Sequence, residues 1–193
     1  MIIDRKSINL PNLVSLIRIL IAPMLFYLAL HNMQFWFMAL LLLSGFTDIL
    51  DGFLARTLNQ VTKLGSLLDS WGDFTIYSTM AICAWILWPD IVLQEMVYFL
   101  LIVSSFCVPV LAGLLKFKTL TSYHTWSVKF AVVCMFLAYI LLFSGLAEWP
   151  FRVAALICLY AGLEEILITL LTKHPRTDVR SVWSVIKRRK PAI

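Results

Sequence analysis

Six apolar stretches, each close to the roughly 20 residues needed to cross a 30 Å hydrocarbon layer, leave this chain few ways to fold. They run over about 12–31, 34–55, 66–88, 94–115, 127–145 and 149–172. With 61% hydrophobic residues and a mean hydropathy of +0.89, the chain lies far above the roughly 45–50% apolar content of soluble domains. It reads as an integral membrane protein. In lipid the backbone polar groups must be satisfied within each segment, so the expected architecture is an all-α bundle of six transmembrane helices over 12–172. An interfacial arm over 1–11 precedes it and a basic tail over 173–193 follows.

The connections alternate in charge. Those at 31–33, 89–93 and 145–150 are poor in Lys and Arg. The others carry Arg5 and Lys6, Arg56 and Lys63, Lys116, Lys118 and Lys129, and the tail from Lys173 to Lys190. By the positive-inside rule both termini are cytoplasmic, with Arg152 the exception on the poor side. Trp36, Trp88 and Trp149 would form an aromatic belt at the opposite face. The net charge of +5 therefore reads as orientation signals and lipid-headgroup contacts, with no nucleic-acid partner. No small-residue cleavage site follows the first residues, so they are expected to be retained. Cys83, Cys107, Cys134 and Cys158 lie in apolar runs without a C-x-x-C pair and read as buried, reduced filler.

Against this background Asp48 to Asp73, DILDGFLARTLNQVTKLGSLLDSWGD, is anomalous. A charged side chain at the bilayer centre costs roughly 2.5–3.5 kcal/mol, so four unpaired carboxylates would oppose insertion. In a helix Asp48, Asp51, Gly52, Ala55 and Arg56 share one face, and Gly65, Asp69 and Asp73 make a second stripe. The polar run 57–63 allows a turn, so two antiparallel helices could converge the four acids. Hard divalent cations prefer such an oxygen-rich set, magnesium commonly together with substrate phosphates. Gly52, Ala55 and Gly65 leave room against the backbone, and Arg56 offers a donor fork for phosphate oxygens. These residue types describe a metal-bridged pyrophosphate site.

The stretch resembles the signature of the CDP-alcohol phosphotransferase family, D-x2-D-G-x2-A-R-x8-G-x3-D-x3-D, at all eight fixed positions. The resemblance implies a six-span bundle, usually dimeric, that transfers a phosphatidyl or similar group from a CDP-alcohol to an acceptor hydroxyl and releases CMP. It implies two magnesium or manganese ions held by Asp48, Asp51, Asp69 and Asp73, a cytidine nucleotide received by Gly52, Ala55, Arg56 and Gly65, and Asp73 as the catalytic base. The expected donor is CDP-diacylglycerol. The expected setting is a bacterial inner membrane with the site facing the cytoplasm.

The acceptor is less constrained. The run 11–18, PNLVSLIR, resembles the P-N-x-x-T-x-x-R segment of phosphatidylglycerophosphate synthases and related cardiolipin synthases, with Ser15 in place of Thr. Glycerol 3-phosphate is accordingly the first expectation. The run 68–74, LDSWGDF, departs from the L-D-P-x-A-D-K of glycerophosphate users, and Ser70 is closer to serine- or inositol-type enzymes. Arg18, Lys129 and His124, with Thr125 behind them, are the acceptor-binding candidates. Glu164 and Glu165 interrupt the sixth apolar stretch, which makes them either a functional pair or a structural one. The tail, with Trp183 among its cations, suggests a surface helix on anionic lipid. A cation or proton transporter using the acids as a relay is the alternative from another class. It would leave Gly52, Ala55 and the order of the motif without a role.

Overall fold

The computed structural model describes residues 10–57, 63–118, 123, 125–172, 179 and 181–189, and among these it contains eight helices and no strand. Every apolar stretch becomes a helix whose ends differ by at most three residues from the sequence expectation. They are α1 (Leu10–Leu30), α2 (Gln34–Thr57), α3 (Lys63–Leu87), α5 (Met96–Phe117), α6 (Trp126–Phe143) and α7 (Trp149–Leu171). Two short helices join them, α4 (Pro89–Gln94) and α8 (Val182–Arg189). The connection expected at 89–93 is thus a helical turn and a half. Pro89 pre-sets the first φ angle, and Asp90 complements the positive end of the helix dipole.

By length and composition α5, α6 and α7 can each cross a membrane. Among the described residues α1, α2 and α3 contribute the apolar helical stretches Ile19–Leu30, Gln34–Thr47 and Phe74–Leu87. Large apolar side chains such as Leu115, Phe35 and Leu170 stand exposed along these helices, as lipid-facing surfaces require.

The chain divides into two compact units, Met1–Pro89 and Asp90–Ile193. In the first, α1 packs against both α2 and α3 over a core that includes Leu25, Ala29, Phe37, Leu41, Met80 and Ala84. In the second, α7 packs against α5, α6 and α8. Phe99 stacks at 4.8 Å on Phe151 and at 6.1 Å on Phe143, tying three helices together. One turn along, Arg152 donates from Nε and Nη2 to the carboxylate of Glu95, which is only 4% exposed, and from Nη2 to Glu148. The one basic residue of the Lys/Arg-poor connections is therefore neutralised by acids just before α5 and α7.

Nearer the other end, α7 passes α5 at Gly162, where an added Cβ would lie 2.6 Å from the Ser105 carbonyl oxygen. Only a residue without a side chain allows that approach. Cys107, two residues on and so about 200° round the helix, is exposed rather than buried as expected. Cys83 is buried, Cys134 and Cys158 are half-buried, and all four are free.

Candidate functional site

The acidic motif occupies the end of α2 and the start of α3. Because both segments are helical, Asp48, Asp51, Gly52, Ala55 and Arg56 do fall on one stripe, as do Gly65, Asp69 and Asp73. The side chains of these eight residues, and residues 58–62 between the helices, lie outside the described set.

The relative register of the two helices can nevertheless be worked out from their far ends. Gln34 Nε2 donates to the Leu87 carbonyl oxygen at 3.2 Å, and the rings of Phe37 and Trp88 meet edge-on at 5.9 Å. The first turn of α2 is thereby held against the last turn of α3, which makes the pair antiparallel. From this pin Asp48 lies fourteen residues along α2 and Asp73 fourteen residues back along α3, roughly 21 Å in each case at 1.5 Å per residue. Asp51 and Asp69 lie seventeen and eighteen residues away. The backbone positions of the four acids therefore reach one level to within about a helical turn. Among the described side chains no group of three His, Cys, Asp or Glu could hold a metal ion.

In the second unit a polar network closes the end of the bundle where α6 begins and α7 ends. Thr125, fully buried, caps α6 by accepting the Val128 N–H at 3.3 Å. Its hydroxyl lies 2.8 Å from Ser127 Oγ, and Ser127 Oγ donates to Glu164 Oε2. A hydroxyl has one proton, so Thr125 must donate to Ser127 and the three residues form a directed chain ending on the carboxylate. The other oxygen, Glu164 Oε1, accepts the backbone N–H of Val182 at 2.9 Å. Glu165 accepts the backbone N–H of Tyr123, whose phenolic oxygen accepts from Thr169 Oγ1 at 3.0 Å. Lys116 Nζ donates to the carbonyls of Thr169 and Leu170 at 2.8 and 3.0 Å, capping the negative end of α7.

Among the acceptor candidates, Arg18 sits in α1 with its side chain outside the described set, and His124 lies outside the described residues. Lys129 is exposed on the first turn of α6, its ammonium 5.6 Å from the centre of the Trp126 ring. Thr125 is committed to the cap and to Ser127. Sequence reasoning singled out Glu164 but not its partners. The only local signal was Thr125 immediately before an apolar run, a good N-cap type.

The chain is similar to a CDP-diacylglycerol–glycerol-3-phosphate 3-phosphatidyltransferase of Aquifex aeolicus, 40% identical over 75 residues, covering 38% of this chain and 42% of that protein. A protein of the same name from Wigglesworthia glossinidia brevipalpis is 41% identical over 69 residues, 34% of this chain and 38% of that one. A CMP-forming cardiolipin synthase of Streptomyces coelicolor is 36% identical over 87 residues, 42% of this chain and 40% of that one. These alignments span about four tenths of the relatives' own lengths. No solved structure matches the chain. The family model for CDP-alcohol phosphatidyltransferases, in contrast, matches residues 8–164, from before α1 to within α7. The chain therefore belongs to the CDP-alcohol phosphatidyltransferase family.

Proposed function

We propose that the protein is a membrane-embedded phosphatidyltransferase of phospholipid synthesis. It would move the phosphatidyl group from CDP-diacylglycerol to a small hydroxyl acceptor, glycerol 3-phosphate first, with release of CMP. The observation that carries this reading is the complete eight-position motif on two antiparallel helices of a chain belonging to the family. The names of the Aquifex and Wigglesworthia relatives support glycerol 3-phosphate, and that of the Streptomyces relative, a CMP-forming enzyme, supports release of CMP. Serine, an inositol phosphate or another polyol completes the acceptor panel.

Depth supplies the physical reason for a cofactor. Measured from the Gln34–Leu87 end, the acids begin roughly 21 Å into a layer about 30 Å thick, where carboxylates need compensation. Asp48, Asp51, Asp69 and Asp73 form an all-oxygen donor set suited to magnesium or manganese, and would hold two ions between them. Such ions, when bound, would offset charge on the phosphate oxygens and on the leaving CMP. Gly52, Ala55 and Gly65 leave backbone accessible to the cytidine nucleotide, and Arg56 binds its phosphates. Asp73 takes the proton of the acceptor hydroxyl as that oxygen attacks the phosphorus bearing diacylglycerol, and the phosphoanhydride bond to CMP breaks. Arg18, His124 and Lys129 would hold an anionic acceptor. In this reading the bundle has six spans, both termini and the site face the cytoplasm of a bacterial inner membrane, and the protein is a homodimer.

The test is CMP appearance from purified protein supplied with CDP-diacylglycerol, magnesium and each acceptor in turn. Release is expected with one acceptor, lost on chelation, restored by added magnesium, and abolished by Asp73→Asn in a protein that still inserts. Silence with every acceptor in both magnesium and manganese would overturn the proposal, and ion flux without cytidine nucleotide would favour the transporter.

A further inference from the structure

The C-terminal helix lies outside the family match and outside the transferase reading. Glu164 precedes the end of α7 by seven residues, roughly 10 Å along the helix axis. Its carboxylate holds the first backbone N–H of α8. α8 therefore begins level with the interior of α7 rather than beyond its end. Val179, Val182 and Val185 secure this placement by packing with Ile168 and Tyr123. Counted from the other end, Trp149 to Glu164 is fifteen residues, roughly 22 Å of a layer about 30 Å thick. A helix starting there lies at the boundary of acyl chains and headgroups, where interfacial helices settle about 5–10 Å deep.

The other face of α8 is chemically distinct. Trp183 is 68% exposed and Lys187 is exposed. Four residues apart, they share a face. Tryptophan, with an apolar body and one N–H donor, is favoured at this depth. Lys187 opens a run of four consecutive cations, Lys187 to Lys190. We infer that the Trp183–Lys187 face of α8 is a docking surface for anionic phospholipid headgroups, set at interfacial depth by the Glu164 carboxylate. Charge complementarity and depth together select the occupant: on the cytoplasmic orientation proposed above, on which this rests, α8 meets the leaflet rich in anionic lipid, with the sign that the run requires. Glu164 acts as a positioning residue, holding Val182 on one oxygen and Ser127 on the other.

Amide hydrogen exchange on the full chain, one copy per nanodisc, tests this independently of catalysis. Discs of phosphatidylcholine alone are compared with an equal mixture of phosphatidylcholine and phosphatidylglycerol. In the anionic discs α8 amides should exchange about fivefold more slowly for each basic residue engaged, while α5 and α6 amides stay unchanged. Trp183→Ala and Lys187→Glu should each lose much of the difference. Both side chains are exposed, and unchanged α5 and α6 amides would show the fold intact. Glu164→Gln should speed α8 exchange in both lipids. Equal α8 exchange in the two lipids would overturn the docking surface, as would equal slowing by inorganic phosphate in neutral discs or slowing that requires two copies per disc. Unaltered α8 exchange in Glu164→Gln would overturn the positioning role.

Discussion

Replacing Gly162 with Ala probes the closest approach of α5 and α7. A Cβ there would sit 2.6 Å from the Ser105 carbonyl oxygen, 3.1 Å from its Cα and 3.2 Å from its carbonyl carbon. All three atoms are backbone, so no side chain can swing aside, and restoring ordinary separations of about 3.5 Å requires the helices to part by nearly 1 Å. Overpacking of this kind costs about 1–3 kcal/mol, while Ala returns about 1 kcal/mol of helix propensity. The net expectation is a loss of up to about 2 kcal/mol. Circular dichroism of the purified protein, titrated from mild detergent into dodecyl sulfate, would measure it. In a thermal scan the same loss is worth about 2–4 °C per kcal/mol for a chain of this size. Gly162→Leu should be worse still, because the longer side chain meets the same backbone. An Ala variant more stable than the parent by about 1 kcal/mol, the helix-propensity gain alone, would refute the reasoning, since it would mean that α5 and α7 do not approach this closely.

Four further outcomes are expected. Ser127→Ala removes one of the two donors to the nearly buried Glu164 and should cost about 1–3 kcal/mol in the same titration. Gly145→Ala meets no atom within 4 Å but forces a side chain onto a φ of +74°, a loss of about 1–2 kcal/mol that is conformational rather than steric. Arg152→Ala strands the buried Glu95 and should lower the melting midpoint clearly, whereas Glu148→Ala, removing a largely exposed partner, should leave it nearly unmoved. Lys129→Ala should raise the acceptor KM more than the donor KM in the CMP assay, and an unchanged acceptor KM would move that pocket elsewhere.

What could be read from the sequence was what depends on near neighbours. Apolar length alone located six helices to within three residues, because a segment without water must satisfy its own backbone. The acidic motif was legible for the same reason: its spacing is a property of one helix turn, and its composition conflicts with its surroundings. Contacts between distant residues were not legible. Glu164 stood out, yet Ser127 and Val182 lie 37 and 18 residues from it, and nothing local names them. Arg152 looked like an exception to the charge pattern until Glu95, 57 residues earlier, proved to hold it. Lys116 read as one of the orientation-setting cations but caps a helix that begins 33 residues later. Gly162 carried no signal, since a glycine in an apolar run is silent until the helix crossing it is known.

The packing centres of the two units have a consequence for synthesis at the ribosome. In the first unit the helix that touches both its neighbours, α1, is made first, so α2 and α3 can dock on it as each is completed. In the second the corresponding helix, α7, is the last of the long helices to be made, and α5 and α6 must wait for it. Truncation just before Trp149 should therefore leave the earlier unit assembled and strand two finished helices without their common partner, the condition that membrane quality control is placed to detect.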